Sequence, residues 1–110
     1  MKKKEKELLN KIINNEKYTK KELTEFLTNY GDYIYRIKPE YIDEKIISIS
    51  LNTLTKLEGF FDFIPNKILN DDFLTSIILK KPELLSYIPT DILTASFIEY
   101  LINKHPKKHL

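Results

Sequence analysis

The sequence predicts an all-α fold: a small stack of helical hairpin repeats, a short α-solenoid, behind a two-helix N-terminal cap. Three observations carry that prediction. The stretch 58–106 is one unit written twice, because a shift of 24 lays Ile64-Pro65 on Ile88-Pro89, Ile68-Leu69 on Ile92-Leu93, Phe73-Leu74 on Phe97-Ile98, Ile77-Ile78 on Leu101-Ile102 and Pro82 on Pro106. A fixed period of this size marks a stacked repeat architecture. The residue three before each hydrophobic pair is a strong helix N-cap, and it changes type from copy to copy: Asp43, Asn70, Thr94. Finally, only two glycines stand among abundant Leu, Ile, Lys and Glu, a composition that favours helix.

Taken in order, the first helix is expected over 3–15. Its apolar stripe is Leu8, Leu9, Ile12 and Ile13, and Asn14-Asn15 ends it. A second opens at Thr19, where Thr19-Lys20-Lys21-Glu22 reads as a capping box. Leu23, Phe26, Leu27 and Tyr30 form its buried face, and Gly31 stops it at a C′ position. A shift of 27 then traces a third copy, with Ile37 on Ile64, Tyr41-Ile42 on Ile68-Leu69 and Ile46-Ile47 on Phe73-Leu74. The run Ile47-Ser48-Ile49-Ser50-Leu51 alternates like a strand, but the register of the copies argues helix. The longer repeat helices are expected at 43–52, 70–81 and 94–105, each after a tight turn at a proline. Shorter ones are expected at 55–63 and 82–88, the second opened by Pro82. Pro65 and Pro89 close the short helices, since the residue before proline resists the α conformation. The organisation is thus a single domain: 1–30 as the cap, 31–106 as three degenerate repeats and 107–110 as a frayed tail.

The run Lys81-Pro82-Glu83-Leu84-Leu85-Ser86-Tyr87-Ile88-Pro89, followed by Ile92-Leu93-Thr94 and Phe97-Ile98, resembles the short two-helix repeats of an uncharacterised bacterial and viral helical-repeat family. The resemblance covers about 31–106 and implies architecture only, since that family has no assigned catalytic residues to carry over.

Composition narrows the function. The 110 residues include no cysteine, so there is neither a disulfide framework nor thiolate chemistry, and a reducing cytoplasm is the expected location. No apolar run approaches the length of a membrane span, and no apolar core follows the N-terminal lysines as a signal peptide requires. The charge is segregated. Residues 1–21 carry eight Lys and three Glu, residues 104–110 three Lys, and residues 22–103 seven basic against thirteen acidic side chains. An acidic body repels phosphate, which disfavours nucleic acid as the main partner. Seventeen lysines against one arginine, with frequent Ile, Asn and Tyr, suit the AT-rich coding of low-GC bacteria and their phages.

The candidate chemistry reduces to structural roles. His105 and His109 are spaced four apart but Pro106 separates them, so no metal site is expected. Asp71-Asp72 lies in the first turn of a helix, where carboxylates favour the positive end of the dipole. No Ser or Thr has a plausible base, and Gly31 and Gly59 make no phosphate loop. The chain reads as a non-enzyme with no cofactor. Most aromatics, including Phe26, Phe60, Phe61, Phe73 and Phe97, occupy apolar columns, whereas Tyr33, Tyr35, Tyr87 and Tyr100 are less committed to packing and suit interface anchors. The expected function is a non-catalytic protein–protein interaction module, in a narrower form a phage-encoded inhibitor of a host defence protein. Its partner has a basic surface, met by Asp62, Asp71, Asp72, Thr75, Tyr87, Glu99 and Tyr100. The alternative is a nucleic-acid-binding accessory protein using the basic termini, Lys2-Lys3-Lys4 above all.

Overall fold

A computed structural model of the chain describes residues 1–104, and among these every regular element is helical. The candidate ligands His105 and His109, Pro106 and the expected tail 107–110 lie outside the described residues. Five α-helices are present among the described residues: α1 (Lys3–Ile13), α2 (Lys20–Asn29), α3 (Glu44–Leu51), α4 (Asp71–Lys80) and α5 (Ala95–Lys104). Short 3-10 turns connect them at Gly31–Arg36, Pro39–Tyr41, Phe60–Asp62, Asn66–Ile68 and Pro82–Tyr87. By its contacts the chain divides into two compact units, Met1–Lys56 and Leu57–Leu110.

In the first unit, α2 packs against α1, α3 and the Gly31–Arg36 turn, which also meets α3. The Thr19 box forms as expected: the Glu22 amide donates to Thr19 Oγ1 at 3.1 Å and the Thr19 amide to Glu22 Oε1 at 3.0 Å. The carboxyl of Glu22 is lowered chiefly by that backbone bond. Helix α1 ends at Ile13, two residues short of the expected range 3–15. Asn15 takes a left-handed conformation (φ 57°), and Glu16 and Asn15 donate back to the Lys11 and Ile12 carbonyls, closing a Schellman turn. Leu8 and Ile12 are buried; Ile13, expected in the stripe, is exposed.

Gly31 follows α2 as expected, but for a different reason. It is not left-handed. A Cβ there would lie 2.1 Å from the Ser50 carbonyl oxygen and 2.9 Å from the Leu54 amide nitrogen. The glycine lets the 31–36 turn press directly on the C-terminal end of α3, with its amide donating to Thr53 Oγ1 at 2.8 Å. Next to it the Asp32 carboxylate accepts from the Thr55 and Lys56 amides, both at 2.8 Å, and from the Thr55 hydroxyl. Partial burial pushes the Asp32 carboxyl up, but these bonds outweigh it and its pKa is lowered. That grip explains why the helix expected over 55–63 is absent. Residues 55 and 56 are bonded to Asp32 outside any helix, Gly59 is left-handed (φ 77°), and the only helical stretch in this range is the short 3-10 turn Phe60–Asp62.

In the second unit, α4 packs against the Pro82–Tyr87 turn and α5. Phe60, Phe61, Ile64, Phe73, Leu74, Ile77, Ile78, Leu84, Ile88, Phe97 and Leu101 are its buried apolar residues.

The local bonding of the three aligned segments matches. The amides of Ile46, Phe73 and Phe97 donate to Asp43 Oδ1, Asn70 Oδ1 and Thr94 Oγ1 at 2.8, 2.9 and 3.1 Å. In the same register the amides of Tyr41, Ile68 and Ile92 donate to the carbonyls of Lys38, Pro65 and Pro89 at 3.0, 3.1 and 3.0 Å, the first copy's proline lying one place out at Pro39. The hydrophobic pairs agree less well. Ile46-Ile47 and Phe73-Leu74 are buried, as is Phe97, but Ile98 is exposed. At the position after each pair, Ser48 is half-buried, Glu99 is exposed and Thr75 is buried.

Candidate interaction surface

All seven residues expected to meet a partner fall in the second unit, and the fold separates them into three environments. Asp71 and Asp72 occupy the first turn of α4, placed there because Asn70 caps the helix and leaves both carboxylates at its N-terminal end. Both are exposed. One helix further along the chain, the half-buried Tyr100 of α5 donates its hydroxyl to Asp72 Oδ1. That bond, reinforced by desolvation and by the charges of Asp72 and Asp71, raises the Tyr100 pKa above the usual phenol value. Asp71, Asp72 and Tyr100 form one acidic cluster with an aromatic body.

Thr75 is misplaced by sequence reasoning. It points into the protein, 4% exposed, and its hydroxyl has no hydrogen-bond partner. It cannot meet a partner protein. On a helix, the turn from Leu74 to Thr75 carries a side chain about 100° around the axis. Leu74, Thr75 and Ile78 nevertheless all fall within a covered arc of α4, because that arc is wider than one apolar pair.

The remaining candidates are exposed but separate in the chain. Asp62 ends the Phe60–Asp62 turn, Tyr87 ends the Pro82–Tyr87 turn, and Glu99 stands on α5 about 100° around the axis from Tyr100. Two tyrosines read as possible anchors have structural duties instead. Tyr35 donates to the Lys56 carbonyl, and burial with the nearby Asp32 charge pushes its pKa up to about 12. Tyr33 packs against Phe26 with ring centroids 5.4 Å apart.

In the first unit a groove of about 220 Å³ runs between α1 and α2, floored by Leu8 and Phe26 and flanked by Lys4, Glu5, Glu22 and Glu25. Two of its acids are engaged in the fold. Glu5 accepts from the Lys2 amide at 2.7 Å and the Tyr30 hydroxyl at 3.1 Å, while Glu22 closes the Thr19 box. Among the described residues no three His, Cys, Asp or Glu side chains gather in a way that could hold a metal ion. No described helix is long and apolar enough to cross a membrane.

Sequence reasoning overlooked Ile98 and Ile102. Both were assigned to the repeat's covered columns, yet they are 38% and 53% exposed, and nothing in the one-dimensional pattern distinguishes them from Leu74 and Ile78. No protein family, curated protein or solved structure matches the chain.

Proposed function

We propose that this chain is a non-catalytic protein-binding module built of short helical repeats, and that it engages a basic protein surface through the acidic, tyrosine-bearing side of its second unit. The observation that carries the reading is the Asp71–Asp72–Tyr100 cluster. Two exposed carboxylates and a phenol with a defined hydroxyl donor form a small preorganised patch, the kind of charged and aromatic combination that anchors interfaces. Asp62, Tyr87 and Glu99 extend the exposed polar surface of the same unit. The matching caps and turns support the repeat reading, in which an array of short helices offers an extended surface and leaves chemistry aside. The narrower form is an inhibitor, encoded by a phage and acting in the cytoplasm, whose acids occupy a basic nucleic-acid groove of a defence protein.

Affinity capture from a low-GC bacterial lysate tests this, comparing the native chain with Asp71→Asn/Asp72→Asn/Tyr100→Phe. A basic protein retained by the first and lost from the second is the expected result. Equal capture by both, or a turnover that the triple variant abolishes, overturns the reading. The alternative, a nucleic-acid accessory role, draws on the exposed Lys2, Lys3 and Lys4 at the N-terminal end of α1. A salt titration against generic duplex DNA separates it: steep loss of affinity with salt supports that role, and no binding at low salt removes it.

A further inference from the structure

Helix α1 has two sides of different character. Leu8 and Ile12 are buried, on the side that packs against α2. Ile13 is 52% exposed and Leu9 half-buried, although both were expected to lie in the covered stripe. Lys6, Leu9, Asn10 and Ile13 stand at i, i+3, i+4 and i+7, with Lys3 one turn before them. At about 100° per residue, Ile13, Lys6, Asn10 and Lys3 follow Leu9 around the axis at about 40°, 60°, 100° and 120°. That arc holds two apolar side chains, one amide and two lysines, with no acid among them. All but Leu9 are exposed.

The acids of this helix lie off the arc or are already engaged. Glu7 falls about 160° from Leu9, beyond Lys3. Glu5, the acid of the first turn, accepts the Lys2 amide at 2.7 Å and the Tyr30 hydroxyl at 3.1 Å. Glu22 of α2 lies 3.9 Å from the Lys11 ammonium, and Lys11 is about 160° from Leu9 in the other sense. Among the described residues neither Lys3 nor Lys6 is in an ion pair. Lys3, with Lys2 and Lys4, also stands at the positive end of the helix dipole, where a cation is unfavourable and a visiting anion relieves it. The whole unit Met1–Lys56 carries twelve basic against nine acidic side chains, so its wider charge agrees with the face.

This charge selects an anionic occupant, and the apolar pair selects its kind. A bilayer asks for an apolar edge along a whole helix, and here the apolar residues occupy only the C-terminal half. A phosphate backbone makes no use of Leu9 and Ile13. An apposed helix reads the i, i+3, i+4, i+7 spacing, and carboxylates on it meet the two lysines.

We propose that the Lys3–Lys6–Leu9–Ile13 face of α1 docks an acidic amphipathic helix of another protein, its carboxylates on the lysines and its apolar ridge on Leu9 and Ile13. The face belongs to the first unit and shares no residue with the Asp71–Asp72–Tyr100 cluster, so each reading survives the failure of the other.

The test uses the full chain and three synthetic helical peptides, read by fluorescence anisotropy. The first carries leucines at i, i+3, i+4 and i+7 with glutamate flanks. The second has lysine flanks instead, and the third keeps the composition of the first with its leucines scattered around the helix. The glutamate peptide is expected to bind, and the other two to bind at least about tenfold more weakly. Lys3→Glu/Lys6→Glu is expected to weaken the glutamate peptide at least about tenfold and to bind the lysine peptide in its place. Ile13→Ser is expected to weaken the glutamate peptide roughly threefold or more, because one apolar side chain no longer becomes buried. All three residues are exposed, so both variants keep their fold, which circular dichroism checks. Amide shifts on titration are expected to cluster on α1.

Equal binding of the glutamate and lysine peptides, or of the ordered and scattered ones, overturns the proposal. So does binding that either variant leaves unchanged. A chain that ignores the glutamate peptide but sediments with phosphatidylserine vesicles, or retards duplex DNA, through Lys3 and Lys6 also overturns it, since the face then serves a lipid or a nucleic acid. A dimer that Ile13→Ser dissolves overturns it as well, because the occupant is then a second copy.

Discussion

Gly31→Ala tests the tightest contact in the first unit. The added methyl would lie 2.1 Å from the Ser50 carbonyl oxygen, 2.8 Å from Thr53 Oγ1 and 2.9 Å from the Leu54 nitrogen. Two of these three atoms are backbone, so no rotamer change relieves the overlap. Reaching an ordinary contact of 3.4 Å from Ser50 requires the 31–36 turn and the end of α3 to separate by 1.3 Å. That movement breaks the Gly31 amide bond to Thr53 and strains the Asp32 grip on residues 55 and 56. Overpacking costs about 1–3 kcal/mol and the lost buried bond about 1 kcal/mol, offset by roughly 0.5 kcal/mol from the stiffer unfolded chain. The expected loss is about 2–3 kcal/mol, read as a fall of roughly 1–2 M in the urea midpoint with little change of slope. Gly59 is the control: a Cβ there meets only Asp62 Oδ2 at 3.6 Å, so its requirement is conformational. Gly59→Asn should cost only a few tenths of a kcal/mol because asparagine tolerates the left-handed region, while Gly31→Asn should be at least as damaging as alanine. A Gly31→Ala midpoint within error of the native chain would refute the close-approach argument.

Three further outcomes are expected. Asn70→Ala and Thr94→Ala should each lose about 1 kcal/mol by chemical denaturation, and Thr94→Asn should be nearly neutral, because each side chain satisfies one amide of the first turn. Thr75→Val should stabilise by about 1 kcal/mol, since it removes a buried hydroxyl that has no partner without changing the side-chain shape; a loss would show that the hydroxyl is satisfied. Acid should unfold the first unit through Asp32 and Asp43. Burial raises both carboxyls, but bonds from Thr55 and Lys56 to Asp32, and from Lys20 and Ile46 to Asp43, leave each pKa lowered. Their contribution is complete above the ordinary carboxyl value of about 4 and is lost as pH falls through the lowered folded values. Thermal melts of Asp32→Asn/Asp43→Asn should therefore be less stable at pH 7 and flatter below pH ~4.

The helices and their starts were legible in the chain because both are set over three or four residues. Thr19 with Glu22, and Asp43, Asn70 and Thr94 with the amides three residues on, need no distant partner to form their bonds. The same locality decided the strand-like run 47–51 for helix. What covers a face is a different matter. Leu74 and Ile98 are equivalent letters in equivalent helices, yet one is sealed and the other open, because burial depends on which elements arrive beside the helix. Thr75 was read as a contact residue and lies inside for the same reason. Gly31 looked like a helix stop and proves to be a packing gap against Ser50, a residue 19 positions away, and Asp32 holds residues 55 and 56 out of the helix expected there. Tyr100 meets Asp72 only because α4 and α5 lie side by side. Capping and periodicity act within a turn of helix, whereas exposure, close approach and the pairing of a phenol with a carboxylate arise only after the chain has folded back on itself.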